Sequence, residues 1–181
     1  MTYYGAAELA ASFRQVRGNT ITIAEEIPED KYDFRPAADS RTIAQTLVHI
    51  AFAPGLQLHL QRNRIPDLQT VNWMEIFQPI AAEESTRRTK AEIVALLKSK
   101  REDFASYLAG LSDAFLAESV KMPSGADPAT KSRFEMLLSP KEHEMHHRGQ
   151  LMVAQRMIGL TPHLTRQMQE RMAQRAAAAA R

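Results

Sequence analysis

The sequence predicts an all-α four-helix bundle, and three observations predict it. Four long stretches repeat apolar residues at spacings of three and four, as helices that bury one face must. No stretch shows the sustained alternation of a half-buried strand. A chain of 181 residues has the length of one domain, so the four helices can share a single core.

The first helix is expected roughly from Ala6 to Ile27, with Leu9, Phe13, Val16, Ile23 and Ile27 along one side and Pro28 ending it. Tyr32 and Phe34, in the connection that follows, are placed to cover an end of the bundle. The second helix is expected to start at Ser40 as N-cap and to reach about Asn63. Ile43, Leu47 and Ile50 form one apolar face of it, and Phe52, Leu56 and Leu60 flank His49 on another, so it should be largely buried. Pro54-Gly55 interrupts it. An interior proline removes a backbone donor and costs about 3 kcal/mol, which predicts a kink.

Residues 64 to 89 hold Pro66 and Pro79, and only a short helical turn around Trp73 to Phe77 is expected there. The third helix runs roughly from Thr89 to Leu111, opened by Thr89 and Glu92 as a capping box. A loop containing Pro123, Gly125 and Pro128 leads to the fourth, about Lys131 to Ile158, in which Pro140 is expected to bend the axis. Gly159 and Pro162 stop it. The connection between helices two and three is too long for a tight antiparallel turn and permits a crossover that leaves them parallel. Residues 1–163 are thus assigned to the bundle and 164–181 to a helical extension. Leu164, Met168, Met172 and Ala176 recur every fourth residue there, which fits either a solvated terminal helix or an arm on a second subunit.

Composition narrows the chemistry. Hydrophobic residues at 44% and charged residues at 24% are ordinary for a soluble domain. There is no cysteine, so disulfides, thiolate metal sites and a cysteine nucleophile are excluded. Any metal is held by nitrogen and oxygen, and any thiol arrives from outside. The net charge is +2; acidic and basic residues are mixed through most of the chain, and the excess sits at the end, where Arg166, Arg171, Arg175 and Arg181 face only Glu170, which is not the concentrated basic face that nucleic acid requires. No stretch approaches the roughly 20 apolar residues of a membrane span, and Glu8 and Arg14 interrupt any signal-peptide run. The expectation is a cytoplasmic protein with no nucleic-acid or membrane partner.

Three of the six histidines fall within Glu142-His143-Glu144-Met145-His146-His147-Arg148-Gly149-Gln150. His143 and His147 are four apart, so one helical face presents both rings. Leu151, Ala154 and Ile158 continue that face, which points the pair inward. One helix can offer a single metal ion two imidazoles in this way. A third ligand is sought among His49, His59, His146 and His163. His146 lies about 100° around the helix from His147 and should look away. His59 is on the polar side of its helix, and His163 is in a loop after Pro162. His49, mid-helix on an apolar face, is the best placed.

These residues resemble the DinB/YfiT-like metalloenzyme superfamily. The resemblance rests on Thr46-Leu47-Val48-His49-Ile50 in the second helix and His147-Arg148-Gly149-Gln150, with His143 four residues earlier, in the fourth. Tyr32-Asp33-Phe34-Arg35-Pro36 and Gly159-Leu160-Thr161-Pro162 support it. The resemblance implies an up-down-down-up bundle and a divalent transition metal, zinc or nickel foremost, on His49, His143 and His147. It further implies a homodimer and a small-molecule substrate, with a low-molecular-weight thiol such as bacillithiol or mycothiol as partner in a transferase or isomerase reaction. The other reading is a non-catalytic, stress-related bundle in which the metal is structural. No catalytic residue is assigned.

His143-Glu144-Met145-His146-His147 also satisfies H-E-x-x-H, the zinc-protease pattern with glutamate as general base. Gln150 and Val153 stand where its extended form requires glycine and histidine, and there is no sheet to hold a peptide, so a protease is not expected. Glu144 is read as solvated or as supporting a ligand from behind. Arg148 is read as packing, and Gln150 is left open between packing and orienting the site.

Overall fold

A computed structural model of the chain describes residues 4–180, so residues 1–3 and 181, the outer ends of the two expected segments, lie outside the described residues. Helices α1 (Ala6–Glu26), α2 (Ile43–Phe52) with α3 (Pro54–Arg62), α5 (Lys90–Ala109) and α7 (Arg133–Met157) form the bundle. They run up, down, down and up, and the parallel middle pair is bridged by α4 (Trp73–Ser85). After α5 come the short α6 (Asp113–Ala117) and a two-stranded antiparallel sheet, β1 (Ser119–Lys121) and β2 (Thr130–Ser132). Helix α8 (His163–Ala179) closes the described chain. No helix among the described residues is long and apolar enough to cross a membrane.

The core follows the apolar stripes. Near one end Ile23, Ile27, Ile43, Leu47, Ile93, Leu97 and Leu151 pack together. Near the other, Leu9, Phe13, Phe104, Leu108 and Leu137 do so, with the Phe13 and Phe104 rings edge to face at 4.8 Å. Tyr32 covers one end as expected and donates its hydroxyl to the Ala24 carbonyl at 2.8 Å. Thr89 and Glu92 form the expected capping box of α5.

Three local expectations are corrected and one, the interruption at Pro54, is met. Thr42, not Ser40, caps α2: its side chain accepts from the Gln45 amide while Gln45 accepts from the Thr42 amide. The Ser40 hydroxyl is already engaged with Ala37, whose carbonyl it donates to and whose amide it accepts from. The second helix is interrupted at Pro54 as expected: it divides at Ala53 into α2 and α3, and Pro54 starts the new helix at N1, where its fixed φ is favourable. The short turn expected at Trp73 is a helix of 13 residues that carries Pro79 through on an exposed face. Trp73, Ile76 and Ile80, packed with Leu56, Leu60 and Met136, hold it in place. Finally, β1 and β2 are strands of three residues each, too short to display alternation in sequence.

Candidate metal centre

The break after α2 has a direct consequence for the interior. Pro54 has no N–H, so the Ile50 carbonyl one turn earlier loses its helical donor. Arg17 on α1 supplies one, with Nη2 2.8 Å from that oxygen. The same guanidinium places Nε 2.9 Å from both carboxylate oxygens of Glu144 on α7 and Nη1 3.4 Å from the Leu97 carbonyl on α5. One side chain therefore ties all four bundle helices. Arg17 is 0% exposed and Glu144 1%. The expectation of a solvated Glu144 is corrected: its carboxylate is committed to a buried ion pair, facing α1 and not the histidines' cavity.

The chain neighbours of these anchors form the site. Ile50 follows His49 and Glu144 follows His143, so the interior pair fixes the two helices that carry the rings. The Nε2 atoms of His49 and His147 each lie 3.1 Å from Nε2 of His143, and the three potential donor atoms all fall within 4.8 Å of one another. The pair on α7 and the third histidine on α2 thus meet across the bundle.

Two of the rings have their tautomer set from behind. His49 Nδ1 is 2.6 Å from Oε1 of Glu84 on α4. A carboxylate only accepts, so Nδ1 carries the proton and the Nε2 lone pair faces inward. His147 Nδ1 is 2.8 Å from Oε1 of Gln150, whose Nε2 lies 3.2 Å from Nε2 of His146. His147 therefore donates through Nδ1 as well, and Gln150 orients the site, which resolves the alternative left open above. The His143 Nδ1 is buried with no partner among the described residues. Burial, followed by the neighbouring His147 and His49, pushes the His143 ring down to about 4. Burial likewise lowers His147, against the hydrogen bond it donates to Gln150, which raises it. Neutral imidazoles with inward lone pairs are what a divalent ion requires of its ligands, so the donor set fits such a group.

The remaining histidines stay apart from the triad. His146 and His59 are exposed, as expected. His163 is not in a loop but opens α8, buried, with Nε2 3.4 Å from Oδ1 of Asn19. Arg148 is half-buried. Glu84 was missed in sequence because its segment read as a loop. It also holds Arg41, whose Nη2 is 3.5 Å from Oε2. A cavity of about 880 Å³, lined by Arg35, Arg41, Thr46, Glu84, His147 and Gln150 among others, reaches the triad from one side. A second of about 350 Å³ is lined by His49 and His143.

The fold and the site together define a four-helix bundle with three histidines converging from two helices beneath an open cavity. The chain belongs to the DinB superfamily, whose family model matches residues 12–151. It is 25% identical over 154 residues to the uncharacterized protein YjoA of Bacillus subtilis, spanning 85% of this chain and 91% of that one. The crystal structure of that DinB-like protein superposes with a TM-score of 0.63 at 23% identity, over 85% of this chain and 94% of the other. YfiT of Bacillus subtilis, described as a probable metal-dependent hydrolase with an unusual four-helix bundle topology, gives a TM-score of 0.65 at 13% identity, over 89% and 91% of the two chains. Likeness at these identities establishes the fold.

Proposed function

We propose that His49, His143 and His147 hold a divalent transition metal, zinc or nickel foremost, and that the protein uses it on a small-molecule substrate with a low-molecular-weight thiol, as a transferase or isomerase. The observation that carries this reading is the convergence of three Nε2 atoms, two of them with lone pairs fixed inward by Glu84 and Gln150. When bound, such an ion lowers the pKa of a coordinated thiol or water and so supplies a nucleophile at neutral pH. The chain's own part is to orient the rings, hold His143 and His147 towards the neutral form by burial and leave one side open to the cavity. With no cysteine in the sequence, the thiol is a co-substrate.

A purely structural metal is the weaker reading, because structural sites are closed by four protein ligands. The triad here comprises three, and both cavities border it. The proposal includes a cytoplasmic location and a homodimer. In support of the latter, Val153 and Met157 on α7 and Met168 and Met172 on α8 are each more than half exposed; sedimentation velocity tests it. Residues 164–181 are treated as an extension outside the bundle.

Cobalt-substituted protein tests the function. Adding bacillithiol or mycothiol is expected to produce a thiolate-to-cobalt absorption band in wild type and none in His147→Ala. A wild type that binds cobalt but shows no such band with either thiol removes the thiol reading and leaves water as the nucleophile. Glu84→Ala is expected to weaken metal affinity about ten- to hundredfold, the usual effect of losing a partner that orients a ligand. Competition with a chromophoric chelator measures it, and an unchanged affinity would show that Glu84 does not set the His49 tautomer.

A further inference from the structure

The smaller cavity is lined by a residue with a hydrogen-bond donor that neither the fold nor the triad uses. Its apolar wall is formed by Leu56, Phe77, Ile80 and Pro140, with His49 and His143 along one side, and its two charged residues, Arg41 and Glu84, are paired with each other at 3.5 Å. Gln57 on α3 also lines it and is only 8% exposed. The orientation of its amide follows from a chain of bonds that begins at Arg133. The buried guanidinium donates through Nη1 to Oε1 of Gln61 at 2.7 Å, which fixes the Gln61 oxygen. Gln61 Nε2 then donates to Oε1 of Gln57 at 3.0 Å, which fixes the Gln57 oxygen. The Gln57 Nε2 is left with two hydrogens and no partner among the described residues.

Although the side chain is nearly buried, its Nε2 is not sealed from solvent, so an acceptor in the cavity can take the place of water on this donor. We infer that this cavity is a substrate subsite for a neutral carbonyl compound with a small apolar body, whose oxygen accepts from Gln57 Nε2 while the body lies against Leu56, Phe77 and Ile80. The assignment as a substrate subsite rests on the proposed metal site beside it, because His49 and His143 border both. Binding of the carbonyl group itself needs only the cavity and the amide. A carbonyl held there lies next to the centre that would activate a nucleophile, which makes an acyl or keto carbon the reacting atom.

Cyclohexanone is a suitable probe, since it has an apolar ring, one acceptor oxygen and no donor. It is titrated into the ¹⁵N-labelled full chain, metal-free and zinc-loaded, and followed through the Gln57 side-chain amide signals, which are identified by their loss in Gln57→Met. Saturable shifts of those signals are expected in the metal-free protein, with affinity reduced about tenfold in Gln57→Met, the worth of one hydrogen bond. Gln57→Glu, which faces the cavity with an acceptor, should bind no better than Gln57→Met. Unmoved Gln57 signals in wild type, or equal affinity in all three proteins, would overturn the inference. Should Gln57→Met fail to fold, Ala81→Leu provides a second route from an exposed helical position that lines the same cavity. Loss of binding there supports the subsite and unchanged binding overturns it. The metal-free arm separates the two readings: carbonyl binding without any metal uptake removes the metal site alone, and metal uptake without carbonyl binding removes the subsite alone.

Discussion

Arg17→Met is expected to destabilise the protein by about 3–5 kcal/mol, the usual cost of stripping one partner from a buried ion pair. The loss has two parts. Glu144 is left as an uncompensated carboxylate at 1% exposure, and the Ile50 carbonyl, which Pro54 cannot satisfy, loses its Nη2 donor. At this chain length the melting temperature should fall by roughly 6–20 °C, and urea titration gives the free energy directly. The double variant Arg17→Met/Glu144→Leu separates the parts. Replacing both charges with apolar groups of similar size is often neutral, so most of the stability should return. The residual deficit reports the orphaned Ile50 carbonyl, about 1–3 kcal/mol. A single variant that unfolds at the wild-type urea concentration would mean that the pair contributes nothing. Because Ile50 and Glu144 adjoin His49 and His143, the single variant should also lose metal affinity.

His143→Ala is expected to abolish metal-linked stabilisation. If the triad holds an ion, zinc at a hundred times its dissociation constant adds about 2.7 kcal/mol to wild-type stability by mass action. The ring of His143 is the one whose Nε2 lies 3.1 Å from both of the others, so its removal leaves two donors on different helices. The half-buried ring makes no hydrogen bond through Nδ1, so the metal-free variant should unfold close to metal-free wild type. Thermal unfolding with and without zinc, paired with metal analysis of protein purified without a histidine tag, measures both effects. Equal zinc stabilisation of wild type and variant would place any bound ion elsewhere.

Much of this was legible along the chain. Each long helix follows from apolar recurrence and from its stop signals, and the approach of His143 and His147 follows from helical spacing alone. His49 was placed by its apolar face and by family resemblance, and it meets the pair. The ion pair was readable in principle. Glu144 lies three residues before His147 and seven before Leu151, on the inward face of α7, and Arg17 lies four residues after Phe13 on the inward face of α1. A charge on an apolar stripe in two helices signals that each needs the other. Glu84 and Gln57 were not readable. The segment of Glu84 is helical because of what Trp73, Ile76 and Ile80 pack against, and the free donor of Gln57 exists only because Arg133 lies within reach of Gln61.

Periodicity and local backbone chemistry act between residues a few positions apart, so the four apolar-striped helices and the histidine pair were readable along the chain, while the cap at Thr42 was not. The convergence of three rings, the tie through Arg17 and the orientation of the site's amides and imidazoles depend on groups up to 127 residues apart in the chain. Those arise in the folded chain alone, because a hydrogen bond or a ligand set exists only when folding brings its partners to within about 3 Å.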